Sequence, residues 1–153
     1  MKNDIVRLLD QLEAAMSDLD KQNEAVSKTT VGWQIGHTLK VANGIIKLIS
    51  KSDPSLYKWG FNMARVIVFT LNHIPRGKGK APKEVIPDPE EFSEEGLVEL
   101  FEKVRTRLEK VPDLSPKAHF DHPVFGVLNR KKSLQFIMIH TNHHLKIIKD
   151  IIK

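Results

Sequence analysis

Cysteine is absent from the 153 residues. That removes disulfides, thiolate metal sites and cysteine nucleophiles together, and leaves histidine and carboxylate as the strong metal ligands. The chain also lacks strand-like alternation, an internal repeat, a Gly-rich phosphate loop and a G-x-S-x-G turn, so no Ser-His-Asp arrangement can be assigned. Leu56 to Ile74 comes nearest to a membrane span, but Lys58, Asn62, Arg65 and Asn72 interrupt it. A central arginine alone costs about 2.5–3.5 kcal/mol on insertion scales. The stretch reads instead as a buried or pocket-lining helix, with surplus apolar surface for a substrate pocket or a homodimer contact. No membrane association is expected. The first residues, M-K-N-D-I-V-R-L-L-D, carry charges throughout and hold no apolar signal core, so the expectation is a cytoplasmic protein.

What is present suits one domain, residues 1–153, with room for a proper core. Hydrophobic residues make up 41% and charged residues 28%, the balance of an ordinary globular chain. The net charge of +5 permits an acidic partner without implying one. Its cations are dispersed, apart from Arg76, Lys78, Lys80 and Lys83 in a Gly/Pro loop and the run Arg130 to Lys132. Basic patches interleaved with aromatics are missing, so nucleic acid is not an expected partner.

In chain order, residues 2 to 24 form an amphipathic pattern on Ile5, Leu8, Leu9, Leu12, Ala15, Met16 and Leu19. A polar break at Ser27 to Thr30 offers Thr29 or Thr30 as N-cap for a second helix reaching about Lys51. His37 lies at the margin of its apolar face, near the line of Val41 and Leu48. Asp53-Pro54 ends that helix. Pro75 to Pro89 is irregular and long enough for a crossover between distant ends of a bundle. Asp88-Pro89-Glu90-Glu91 resembles a helix start, and Ser93-Glu94-Glu95 competes with it. The helix then runs to about Lys110. A second loop, Val111 to Val127, contains His119, Asp121 and His122, which are expected to shape the mouth of a site or to bond backbone. Asn129 caps the last helix, where Arg130 to Lys132 sit unfavourably at the positive end of the dipole. They read as an anion-binding spot or as solvated charge. The fold class is all-α, with four long helices, one further apolar helix and two loops.

That last helix contains I-M-I-H-T-N-H-H-L-K-I-I-K-D-I, Ile137 to Ile151. At 100° per residue, Ile137, His140, His144, Ile148 and Ile151 form one stripe, and Gln135, Asn142, Lys146 and Lys149 the opposite face. A lone histidine on an apolar face is usually a hydrogen-bonded core residue. Two at i, i+4 shift the balance, because each buried ring nitrogen left without a partner costs on the order of 1–3 kcal/mol and one metal ion satisfies both rings. H-x-x-x-H on a helix is a common way to present two imidazoles to a divalent ion. His143 sits at the edge of this face, as a supporting or solvent-facing group. His37, the only histidine on its helix, is the natural third ligand.

Three ordered features resemble the DinB/YfiT-like family, metal-dependent proteins built on a four-helix bundle. They are G-W-Q-I-G-H (Gly32 to His37), H-T-N-H-H (His140 to His144), and the apolar helix leading to P-R-G and later H-P-V-F-G (His122 to Gly126). The last set resembles an uncharacterised DinB-related subgroup. The resemblance implies a DinB-like bundle with an added apolar helix and a long Pro-rich crossover, and His37, His140 and His144 as metal ligands. Trp33 and His37 match the W-x-x-x-H spacing of some groups; others place the first histidine one turn later, where this chain has Val41. The resemblance further implies a divalent ion (zinc, nickel or iron), a small-molecule substrate, and for some members a low-molecular-weight thiol used in S-transfer or isomerisation. Hydrolysis is the related expectation. The alternative is a bundle that binds metal or ligand without turnover and acts as a dimer.

Overall fold

The computed structural model describes residues 1–76 and 93–153. It contains helices α1 (Lys2–Ala14), α2 (Val31–Lys51), α3 (Met63–Leu71), α4 (Glu94–Lys110) and α5 (Arg130–Ile152), with a small hairpin of β1 (His119–His122) and β2 (Gly126–Asn129). The protein is all-α in class. The hairpin corrects the expectation of a loop without strands. Its register pairs His119 with Asn129 and His122 with Gly126, which leaves residues 123–125 as a three-residue loop. Such a loop requires a left-handed residue, and Gly126 supplies it at φ +64°.

Helix α2 is central. It packs against α4 on one side and α5 on another, while α1 closes against α5. Ile35, Leu39, Ile46 and Ile49 of α2 are fully buried with Ile5 and Leu9 of α1, Leu97 and Phe101 of α4, and Ile137 and Ile148 of α5. The apolar stripes read from the 3.6-residue period are thus the faces that meet. Leu48 is the exception, assigned to the apolar side but mostly exposed.

The ends of the helices follow local chemistry. The first helix was expected to reach residue 24, but α1 stops at Ala14 and tightens into a 3-10 turn to Asp18. Beyond it the chain reverses so that the Leu19 and Lys21 carbonyls accept the Gly32 and Val31 N–H groups. Those donors open α2 and have no partner within it, which is why the turn is worth making. A Cβ on Gly32 would stand 3.2 Å from the Leu19 carbonyl oxygen, so the approach suits glycine. Thr30, one of the two anticipated caps, accepts from Trp33 N. Ser93 caps α4 through Gly96 N. The competing start at Asp88 lies outside the described residues, as do Lys78, Lys80 and Lys83.

The apolar stretch is shorter as a helix than its composition suggested. Pro54–Leu56 forms a 3-10 turn, and α3 begins only at Met63, capped by the Asn62 side chain. Gly60 and the Asn62 cap set that boundary. Arg65, the residue that argued against a membrane span, is buried. Its Nη1 donates to the Phe125 and Val127 carbonyls at 3.3 and 3.0 Å, and its Nη2 donates to the Gly60 carbonyl. Asn62 Nδ2 adds a bond to the Val124 carbonyl at 3.0 Å. One guanidinium therefore ties α3 to the hairpin. No described helix is long and apolar enough to cross a membrane.

The hairpin sets the direction of α5. His119 N donates to Ser52 Oγ, just past the end of α2, and β2 runs into α5 through the Asn129 cap. Helix α5 therefore starts where α2 stops, and the two run antiparallel. His37 lies 14 residues before Lys51, the end of α2 (51 − 37), and His144 lies 14 residues after Arg130, the start of α5 (144 − 130). At 1.5 Å per residue both are about 21 Å from that end, so they stand at one level.

Replacing Arg65 by Met should lower the unfolding free energy by about 2–3 kcal/mol, because buried carbonyls lose their donors. Arg7→Met, at an exposed position, should change it by no more than about 0.5 kcal/mol. Urea denaturation of the two variants checks both values.

Candidate metal centre

The two histidines singled out from spacing and the third expected from α2 come together. His37, His140 and His144 each offer one ring nitrogen, and these atoms all lie within 4.8 Å of one another. Ring centroids are 5.1 Å apart for His37 and His140, 4.8 Å for His37 and His144, and 4.5 Å for His140 and His144. His37 and His144 are buried, and His140 keeps some exposure. Val41, one turn after His37, is part of the buried core.

The donor set can be tested against a metal. Tetrahedral zinc with Zn–N bonds of about 2.0–2.1 Å spaces its nitrogens roughly 3.3 Å apart. His140 Nε2 and His144 Nε2 are separated by 3.2 Å. His37 offers the third nitrogen, within 4.8 Å of the other two. The cluster is chemically able to hold a divalent ion, and its all-nitrogen donors suit zinc, nickel or iron alike. Two surface hollows, one beside Met16 to Lys21 and one between the start of α1 and the start of α5, are lined by other residues than these histidines.

Each ring is held by its surroundings. Trp33 stacks on His37 with centroids 4.9 Å apart and planes 13° from parallel. Phe136, one turn before His140, lies 5.6 Å from its ring. His144 Nδ1 is 2.5 Å from Gln34 Oε1. Gln34 was read only as part of G-W-Q-I-G-H. Its position three residues before His37, on the Val41 side of α2, is the signal that would have marked it as inward-facing.

Burial pushes the pKa of His140 and of His144 well below the ordinary histidine value, and the neighbouring histidines push the same way. Both rings are therefore neutral at neutral pH, which is the ligating form. The groups acting on them among the described residues include no carboxylate. His143 stands at 90° to His144 with centroids 5.1 Å apart. Its pKa is lowered by burial and by Arg76.

Other candidates found different work. His122 Nδ1 accepts from the Val124 and Phe125 N–H groups at 3.1 and 3.3 Å, the backbone-bonding role expected of this loop. Its ring stacks on Phe125 and meets Phe136 edge-on at 4.7 Å. His119 packs near Tyr57, away from the cluster. Two of the three cations at the start of α5 are engaged. Arg130 donates to the Pro112 and Leu114 carbonyls, and Lys132 bonds Gln135 and lies 5.2 Å over the Phe69 ring. Arg76 pairs with Asp150 at 2.9 Å.

A family model of the DinB superfamily matches residues 3–148. The chain belongs to the DinB superfamily. Comparison with curated proteins and with solved structures gives no match. The family match spans α1 through most of α5, and so includes all three histidines of this DinB chain.

Burial lowers the His122 pKa from 6.5 to about 4. Between those values the unfolded chain binds a proton that the folded chain refuses. The stability contributed by the neutral ring is complete above pH 6.5 and is lost as pH falls toward 4. The urea midpoint should therefore drop from pH 7 to pH 4.5. His122→Asn, whose side-chain oxygen can accept the same two N–H groups, should show a smaller drop.

Proposed function

We propose that this chain is a metal-dependent enzyme of thiol S-transferase or hydrolase type, with His37, His140 and His144 holding one zinc, nickel or iron ion. The observation that carries the reading is the convergence of three imidazole donors, contributed by two antiparallel helices, with no carboxylate among them. An ion on uncharged ligands keeps its full charge and lowers the pKa of a bound thiol or water, which makes a nucleophile near neutral pH.

The residues around the cluster support this chemistry. Phe69, Phe125 and Phe136 form an aromatic group whose last member borders His140. These rings are buried and would form the apolar wall behind an organic electrophile at His140, which narrows the pocket-lining role read into the stretch from Leu56 to Ile74 to Phe69. Arg76, within electrostatic range of His143, is the described member of the basic loop to which an anionic thiol cofactor is assigned.

A second reading is a non-catalytic metal-binding bundle acting as a homodimer. It is favoured by the outer side of α3 and the chain before it. Trp59 is 71% and Phe61 68% exposed, and Leu56, Met63, Ile67 and Leu71 are all exposed beside them. Val66 and Val124 are exposed as well, and a standard interface takes about 800 Å² of surface from each partner.

Elemental analysis of untagged protein, purified without added metal, should find about one zinc, nickel or iron per chain. His140→Ala and His144→Ala should each abolish stoichiometric binding. Full metal content in both variants would end this assignment. Sedimentation equilibrium tests the second reading: Trp59→Asp with Phe61→Asp should turn a dimer into a monomer while leaving metal content unchanged.

A further inference from the structure

We infer that Gln34 is a positioning residue that fixes the tautomer of His144, so that metal binding shifts a proton on His140 but none on His144. The metal half of this inference rests on the proposed function. The tautomer half stands on hydrogen bonding alone.

Gln34 is buried on the first turn of α2. Its Nε2 faces two hydroxyls, Thr29 Oγ1 at 2.7 Å and Ser27 Oγ at 3.2 Å. These belong to the turn before α2 and are themselves linked, at 3.1 Å and through the Thr29 N–H to Ser27 Oγ. The amide thus spends both N–H donors on the hydroxyl pair and turns Oε1 toward His144 Nδ1. A carbonyl oxygen can only accept. His144 Nδ1 therefore carries the proton and His144 Nε2 is bare.

The bare Nε2 faces His140 Nε2 at 3.2 Å. Two bare nitrogens at that distance repel, so without a metal His140 holds its proton on Nε2 and donates to His144. A cation entering between them needs both Nε2 lone pairs. His144 already offers one. His140, the more exposed of the two, gives up its Nε2 proton and takes one at Nδ1 from solvent. The net proton count is unchanged. Gln34 thereby divides the pair into a preset ligand and an adjustable one, through the hydrogen bond on the far side of the ring that orients metal-binding histidines generally.

Two-bond 1H–15N correlation spectra of the ¹⁵N-histidine-labelled full chain distinguish the tautomers. In the metal-free protein His144 should be protonated on Nδ1 and His140 on Nε2. Added zinc chloride should leave His144 as it is and move the His140 proton to Nδ1. Gln34→Ala should give His144 a mixture of tautomers and weaken zinc binding about 10–100-fold. Gln34→Glu, which keeps an acceptor, should restore the Nδ1 proton and most of the affinity, and it tests the same point if the alanine variant fails to fold. A purely structural Gln34 would not move the tautomer. His144 protonated on Nε2 in the metal-free wild type, or an unchanged tautomer in Gln34→Ala, would overturn the inference. Zinc that moves neither ring, with His144 still protonated on Nδ1, would overturn the metal-site reading and leave the role of Gln34 in place.

Discussion

Three imidazole rings stand between α2 and α5 with their centroids 4.5–5.1 Å apart, in the buried interior of the bundle. Polar nitrogens can occupy such a place only when they are satisfied, since each one left without a partner costs on the order of 1–3 kcal/mol. Much of the local structure answers that demand. Trp33 covers His37, Gln34 engages His144, and Ser27 and Thr29 engage Gln34 in turn. The polar break before α2 is therefore more than a connection. It is the far end of a hydrogen-bonded chain that reaches the ring nitrogens in the core.

The other side of the site depends on a second constraint, the placement of α3. Arg65 pins that helix to the hairpin through backbone carbonyls, and Phe69 then meets Phe125 and Phe136. Phe136 borders His140. A buried guanidinium that bonds only carbonyls carries its positive charge into the core, and among the described residues it has no carboxylate partner. What it supplies is geometry, since five N–H donors in a rigid fork can join several carbonyls at once. The aromatic group holds its shape next to the metal ligands because that fork holds the elements behind it.

Much of this was legible in the sequence because it follows from helix periodicity. The stripe Ile137, His140, His144, Ile148 needs only 100° per residue to place two histidines inward. The caps at Thr30, Ser93 and Asn129 needed only a polar side chain before an apolar run. The features that escaped depend on contacts distant in the chain. The hairpin has four residues per strand and no alternating pattern, because its strands pair with each other at the end of a helical bundle rather than covering a sheet core. The length of α3 escaped for a related reason: apolar composition marks burial, but the start of the helix was set by the Asn62 cap and by Arg65 reaching a segment some sixty residues away.

The sequence by itself determined the helical class, the inward face of each long helix and the shared stripe of His140 and His144, because spacing along one helix is a local property. Only the tertiary structure decided that His37 lies level with His144, since that depends on α2 and α5 starting from a shared end and running in opposite directions. It likewise decided that a glutamine on one helix bonds a histidine 110 residues later. A local rule shows which side of a helix faces inward. The neighbour met there is set by packing.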